Sequence, residues 1–250
     1  MTSIPSAERL IVALDLPTPA EARALVERLG DAVSCYKVGL ELVSAPGCFE
    51  LVAWLTGRGH KVFADLKFHD IPETVRRAVA NVRSRGATFL TVHGHRSVME
   101  AAASEKGPMK ILAVTVLTSF DQSDLDEMGA AKTLEQLVLA RAKGAVEAGC
   151  DGVIASGLEA ARLKAEFKER LLVVTPGIRP VESREAGKMR DDQKRTVDVA
   201  QAFAAGADYN VVGRPIRAAP DPRAAAAAIQ DTIARIFPDV AGFPDDAGFP

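Results

Sequence analysis

KVFADLK (61–67) is an apolar run that ends on two charges, Asp65 and Lys67, and a helical pattern opens shortly after it, near Asp70. The unit reads as a strand followed by a helix. Its repetition decides the fold. Before it lie LIVALD (10–15) and VSCYKV (33–38). After it come TFLTVH (88–93), KILAVTVL (110–117), DGVIAS (151–156), LLVVTP (171–176) and DYNVVG (208–213). Helical patterns begin near Thr18, Pro46, Ser97, Lys132, Gly157, Val197 and Asp221. Strands alternating with helices build right-handed βαβ units and a parallel sheet. The runs are apolar almost throughout, as expected of strands covered on both faces.

Eight such pairs in a chain of 250 residues fit one α/β domain, a closed (β/α)8 TIM barrel, which typically takes ~250 residues. An open doubly wound sheet is the alternative. The first strand-to-helix turn, DLPTPAE, weakens it, because that turn carries no glycine fingerprint for a dinucleotide. No linker divides the chain, so the barrel domain is expected over 1–237. A loosely ordered tail is expected over 238–250, where AGFP occurs twice (241–244 and 247–250). The longest irregular stretch, 176–196, reads as a functional loop.

Composition removes several function classes. The chain is 48% hydrophobic and 26% charged, which excludes a mainly disordered chain. Its net charge is -2, from 31 basic and 33 acidic residues, so no global basic field attracts a nucleic-acid backbone. Aromatics at 5% are too few for base-stacking platforms. No apolar stretch approaches the ~20 residues of a membrane span, and the N-terminus lacks the layout of a signal peptide. The three cysteines, Cys35, Cys48 and Cys150, form no C-x-x-C. They read as reduced thiols packed in the core of a cytoplasmic protein.

The charged residues fall at one end of the runs. Asp15 closes the first, Lys37 nearly closes the second, and Asp65 and Lys67 close the third. Thr118, Arg179 and Arg214 follow the fifth, seventh and eighth. A charged residue after a strand is by itself only the chain reaching water. In a barrel, however, all C-terminal strand ends share one face, so the set converges. Asp65 and Lys67 are two apart, which on a strand gives one face and Cα atoms roughly 6–7 Å apart. With Asp15 and Lys37 from the neighbouring strands they would form a row of alternating sign and zero net charge. Opposite neighbours keep every member ionised. A lysine held in this way can give up a proton, which a guanidinium does not do. The glycines of GIRP (177–180) and GRPI (213–216) let backbone amides approach an anion, and the arginines supply forked donors. That corner of a barrel is a usual phosphate site.

FADLKFHDIPETV (63–75) resembles the signature of the orotidine 5′-phosphate decarboxylase family, with D-x-K-x-x-D at Asp65, Lys67 and Asp70. The resemblance continues through VALD (12–15), YKVG (36–39), AVTVLTS (113–119), VTPGIRP (174–180), DQKR (192–195) and ADYNVVGRPI (207–216), in order. It implies decarboxylation of orotidine 5′-monophosphate to uridine 5′-monophosphate, with no metal and no organic cofactor. Lys67 would protonate C6 of the pyrimidine, and Asp65 would sit beside the departing carboxylate. Asp15 and Lys37 would hold ribose hydroxyls, with Lys37 and Asp70 completing the catalytic charges. Asp70 and Thr74, with Ile71 between them, would contribute to substrate binding across a homodimer with shared sites. Thr118 would bond the pyrimidine edge. Arg179, Gln193, Gly213 and Arg214 would grip the 5′-phosphate. Two places depart from the family's usual pattern: Gly94-His95-Arg96 after the fourth run, and Asn210 within the eighth.

Two rival readings remain at this point. One is a metal-dependent sugar-phosphate decarboxylase or aldolase of the same barrel superfamily. The other is a non-catalytic phosphate-binding barrel, which leaves the four strand-end charges unexplained. His93 and His95 could chelate a metal from one strand face. No third ligand stands out, so they read as structural histidines, and His69 reads as a turn residue.

Overall fold

The computed structural model of the chain describes residues 4–178 and 195–238. Its eight strands are β1 (Leu10–Ala13), β2 (Cys35–Gly39), β3 (Lys61–Phe68), β4 (Phe89–His93), β5 (Lys110–Val114), β6 (Gly152–Ile154), β7 (Leu172–Thr175) and β8 (Tyr209–Val212). They close in sequence order into a parallel barrel, β8 pairing with β1. Each strand falls within, or within a residue of, an apolar run seen in the sequence.

Eleven α-helices punctuate the described chain. They are α1 (Pro19–Leu29), α2 (Leu40–Val43), α3 (Cys48–Gly57), α4 (Pro72–Arg83), α5 (Arg96–Glu105), α6 (Gln122–Glu127), α7 (Leu134–Glu147), α8 (Gly157–Phe167), α9 (Val199–Ala204), α10 (Arg214–Arg217) and α11 (Pro222–Ile236). Local chemistry sets many of their starts. Thr18 accepts from Glu21 N–H at α1, and capping boxes open α7 (Thr133 with Gln136), α8 (Ser156 with Glu159) and α9 (Asp198 with Gln201). The short α2, α6 and α10 lie in loops at the strand ends. They were not legible in the sequence because four to six residues give no amphipathic period.

Strand alternation divides the core. Ile11, Ala13, Cys35, Phe63, Phe89, Leu112, Val114, Ile154, Val174, Tyr209 and Val211 point inward and fill the barrel. Phe63 meets Phe89 edge to face at 6.0 Å, and Phe89 meets Tyr209 at 5.2 Å, so three aromatic rings plug the interior beneath the strand ends. The alternate residues, such as Val12, Val38, Val62, Val92 and Val173, pack outward against the helices. Burying a Val, Leu or Ile side chain contributes about 1.5–3 kcal/mol, so both faces of the wall stabilise it.

Asn210 faces outward from β8. Its amide donates to the Val199 carbonyl of α9 at 3.3 Å, away from the barrel interior. Gly94 has a steric cause: a Cβ there would lie 2.8 Å from the Val114 carbonyl oxygen and 3.0 Å from Arg141 Cδ. The chain after β4 therefore passes against β5 only with glycine at this point. Cys35, Cys48 and Cys150 are buried free thiols, and burial pushes Cys35 and Cys150 up to about 12. No described helix is long and apolar enough to cross a membrane. Of the expected tail, 239–250 lies outside the described residues.

Candidate active site

The C-terminal strand ends surround a cleft of about 650 Å³. Its floor is apolar, formed by the inward side chains Ala13, Phe63, Val114, Ile154 and Val211. Its wall carries Asp15, Lys37, Asp65, Lys67, Thr118, Gly213 and Arg214, so seven of the expected site residues share one cavity.

The four charges form an unbroken row. Lys67 Nζ donates to Asp65 Oδ1 at 2.8 Å, Lys37 Nζ stands 3.5 Å from Asp65 Oδ2, and Lys37 Nζ donates to Asp15 Oδ1 at 2.7 Å. Strand register explains the row, because Lys37 pairs with Ala13 on one side and Phe63 on the other, while Asp65 pairs with Gly39. Burial acts to raise the Asp65 pKa. The Lys37 and Lys67 ammoniums, with hydrogen bonds from Lys67 and Thr91, outweigh it and hold the carboxyl below the ordinary carboxylate range. Asp65 is therefore ionised at neutral pH. Gly39 leaves room for the row: a Cβ there would lie 2.8 Å from Lys37 Nζ and 3.1 Å from Asp15 Oδ1.

Asp65 and Lys67 meet as the D-x-K spacing predicts, but not on a regular strand. The β3–β4 register shifts between Ala64 and Phe68, and Lys67 has φ +49°. A left-handed conformation at a non-glycine residue costs of order 1 kcal/mol. The sequence pattern specifies which charges meet; the bulge specifies how.

Asp70, Ile71 and Thr74 stand elsewhere. Asp70 and Ile71 lie at the exposed turn from β3 into α4 and Thr74 in the first turn of α4, all outside the cleft lining. Asp70 Oδ1 accepts from the Ile71 N–H at 2.6 Å, and Ile71 is 67% exposed. Nearby, the His69 ring packs 4.9 Å from His93 and stacks 4.7 Å from His95. Burial lowers the pKa of His93 and His95, and the neighbouring His69 and Arg141 add to the effect. Among the described residues no three His, Cys, Asp or Glu side chains are arranged to hold a metal ion. Arg179 and Gln193 lie outside the described residues.

Two parts of the site escaped the sequence reading. Thr91, fully buried on β4, bonds both Asp65 and the Lys67 backbone. Arg195 pairs with Glu159, and its guanidinium donates to the carbonyls of Val116 at 3.3 Å and Leu117 at 3.0 Å. It thereby ties the base of α8 to the segment that delivers Thr118. Burial raises the Glu159 pKa against the opposing effect of Arg195. The DQKR motif contains Arg195, but nothing in its local sequence shows that the side chain turns inward to a carboxylate 36 residues away.

A family model described as "Orotidine 5′-phosphate decarboxylase / HUMPS family" matches residues 8–229. Among curated proteins, the chain is 58% identical over 234 residues to "Orotidine 5′-phosphate decarboxylase" of Methylococcus capsulatus, covering 94% of this chain and 95% of that one. It is 52% identical over 224 residues to the protein of the same name from Nitrobacter winogradskyi, covering 89% and 91%. Among solved structures, orotidine 5′-phosphate decarboxylase from Lactobacillus acidophilus superposes with a TM-score of 0.79 at 35% identity, covering 90% of this chain and 99% of that one. The enzyme from Pyrococcus horikoshii gives 0.69 at 29% identity, covering 90% and 98%.

Proposed function

The chain belongs to the orotidine 5′-phosphate decarboxylase / HUMPS family, and from that premise we propose that its strand-end charges work without a metal or organic cofactor, with Lys67 as the proton donor. The reaction is the decarboxylation of orotidine 5′-monophosphate to uridine 5′-monophosphate in pyrimidine biosynthesis, which makes the protein a carboxy-lyase.

The observation that carries the mechanism is the 2.8 Å contact of Lys67 Nζ with Asp65 inside the cleft. Loss of carbon dioxide from C6 leaves an electron pair in the plane of the ring, with little delocalisation to relieve it. An ammonium at C6 stabilises that pair as it forms, then transfers its proton to the carbon. The gain is a charge interaction that is strongest in the transition state. Asp65 fixes the ammonium and faces the substrate carboxylate. Asp15 and Lys37 hold ribose hydroxyls, and Thr118 bonds the pyrimidine edge. Gly213 and Arg214, with Arg179 and Gln193, bind the phosphate, whose binding energy orients the ring against Lys67.

A metal-dependent sugar-phosphate reaction is the second reading. It needs carboxylates available to a cation, whereas Asp15 and Asp65 are each already bonded to an ammonium. Purified protein given orotidine 5′-monophosphate in the presence of EDTA is therefore expected to consume it at the undiminished rate, followed by absorbance. Activity that EDTA abolishes and magnesium restores would overturn the metal-free reading. Absence of uridine 5′-monophosphate would overturn the role of the row.

The proposal includes a cytoplasmic homodimer with shared sites and no nucleic-acid or membrane partner. Asp70, Ile71 and Thr74 support this assembly: they stand on the rim without lining the cleft of their own subunit, and Ile71 presents a large apolar side chain to solvent. Each would complete the site of the other copy. Mixing inactive Lys67→Ala and Asp70→Asn proteins is expected to restore part of the activity as subunits exchange, because one of the two heterodimer sites regains both groups. Demonstrated exchange without recovery counts against a shared site.

A further inference from the structure

We propose that Thr91 is a positioning residue for the decarboxylation, a single hydroxyl on β4 that sets both the Asp65 carboxylate and the backbone from which Lys67 reaches into the cleft. The inference rests on the assignment of Lys67 as proton donor.

Between the pairs Ala64↔Leu90 and Phe68↔Val92, three residues of β3 (Asp65, Leu66 and Lys67) face one residue of β4, Thr91. A regular ladder would pair their backbone groups with the next strand. Here the threonine side chain enters the gap. Its Oγ1 accepts the Lys67 N–H at 2.9 Å and donates to Asp65 Oδ1 at 3.0 Å. These directions are forced. The carboxylate is ionised and can only accept, so the hydroxyl's one proton points to Asp65 and a lone pair is left for Lys67 N–H. Thr91 has no exposed surface, so water does not compete for either bond.

Two soft features of Lys67 are stiffened in this way. Its φ of +49° is a conformation a lysine seldom adopts, and the bond to Thr91 Oγ1 holds the peptide there. Its four-carbon side chain is flexible, and Asp65 limits that freedom by accepting from Nζ. Because Asp65 Oδ1 receives both Nζ and the Thr91 hydroxyl, one atom links the ammonium to the wall of the barrel. Thr91 itself is stiff at χ1, and it projects inward between Phe89 and His93 on the same face of β4. Asn or Gln would not fit this task without rebuilding the gap, whereas serine keeps the hydroxyl and loses only the methyl.

The test compares Thr91→Val, Thr91→Ser and Thr91→Ala, each checked for folding and for binding of uridine 5′-monophosphate. Thr91→Val keeps the shape and removes both bonds. Its kcat is expected to fall about 100-fold, the scale of a misplaced catalytic group, while KM and product affinity stay within about threefold of the parent. Thr91→Ser is expected to recover most of that loss. In Thr91→Val the acid limb of the pH profile should also move to higher pH, since Asp65 loses a hydrogen bond to its ionised form. If Thr91→Val does not fold, Thr91→Ser against Thr91→Ala makes the same comparison of one hydroxyl. A kcat for Thr91→Val, or for Ala against Ser, within about threefold overturns the inference, as does a loss confined to KM. So does a Ser variant as slow as Val. Lys67→Ala assayed in parallel separates the two levels. An active Lys67→Ala removes the proton-donor assignment, whereas an inactive Lys67→Ala beside a fully active Thr91→Val removes only the role of Thr91.

Discussion

Lys67→Ala is expected to reduce turnover of orotidine 5′-monophosphate by about 10⁴-fold or more while the barrel still folds. Two contributions disappear together: proton transfer, worth roughly 10²–10⁴ in rate, and stabilisation of the ring anion by a fixed positive charge, of the order a lost oxyanion-hole donor costs, roughly 10²–10³. They overlap, since one group does both, so the product of the ranges is an upper bound. Folding should survive because Lys67 is partly exposed at the barrel mouth, with a side chain 28% accessible, and its only ion pair among the described residues is with Asp65. Single-turnover measurements with enzyme in excess, alongside circular dichroism and product binding, provide the check. A rate near that of the parent protein, with substrate bound, would remove Lys67 from the chemistry.

Asp65→Asn is the second large effect, and it arises indirectly. The row changes from zero net charge to +1, because Asp15 remains opposite two lysines. Lys37 keeps its 2.7 Å contact with Asp15, while Lys67 loses the carboxylate it bonds. An ammonium on a flexible four-carbon stem, without its carboxylate partner and next to a like charge, swings away from the row. Lys67 is therefore the member set loose: without the 2.8 Å contact its ammonium no longer rests where the ring anion forms, and both charge stabilisation and proton delivery suffer. A loss of about 10³-fold at neutral pH is expected, within the span for a general acid. The pH dependence identifies the cause. In the parent, Asp65 stays ionised to below the ordinary carboxylate range, and its protonation there removes the contact; in Asp65→Asn the contact is missing at every pH, so the acid limb due to Asp65 disappears and the deficit stays constant through the neutral range. Substrate affinity should not weaken, since the asparagine no longer faces the substrate carboxylate with a negative charge. An Asp65→Asn protein within tenfold of the parent at pH 7, or one that keeps the parent's acid limb, contradicts this account.

The barrel was legible in the sequence because burial on both faces writes each strand as an apolar run, and because charges inside such runs are too costly to place by accident. LIVALD, VSCYKV and KVFADLK thus announce both the wall and its charged rim. Other parts were hidden for physical reasons. Thr91 within TFLTVH looks like any β-branched strand former, since its propensity for a sheet and its hydroxyl chemistry use the same residue. The bulge that puts Lys67 at positive φ depends on the register of β3 against β4, which no local pattern encodes. The Glu159–Arg195 pair spans 36 residues and depends on the closed barrel to bring its partners together. Asp70, Ile71 and Thr74 stand out in the sequence through the resemblance alone, and a single subunit leaves them outside the cleft.

Position 39 carries a consequence for how this protein can vary. The backbone of Gly39 has φ -106°, which any residue tolerates, so what the glycine provides here is space and not flexibility. One added methyl would press on the Lys37 ammonium and the Asp15 carboxylate together. An alanine at this point would meet the far end of a flexible lysine, so it would displace the Lys37 ammonium and loosen its bridge to Asp15 before it strained the backbone: the room left by one hydrogen keeps the alternating charges in register.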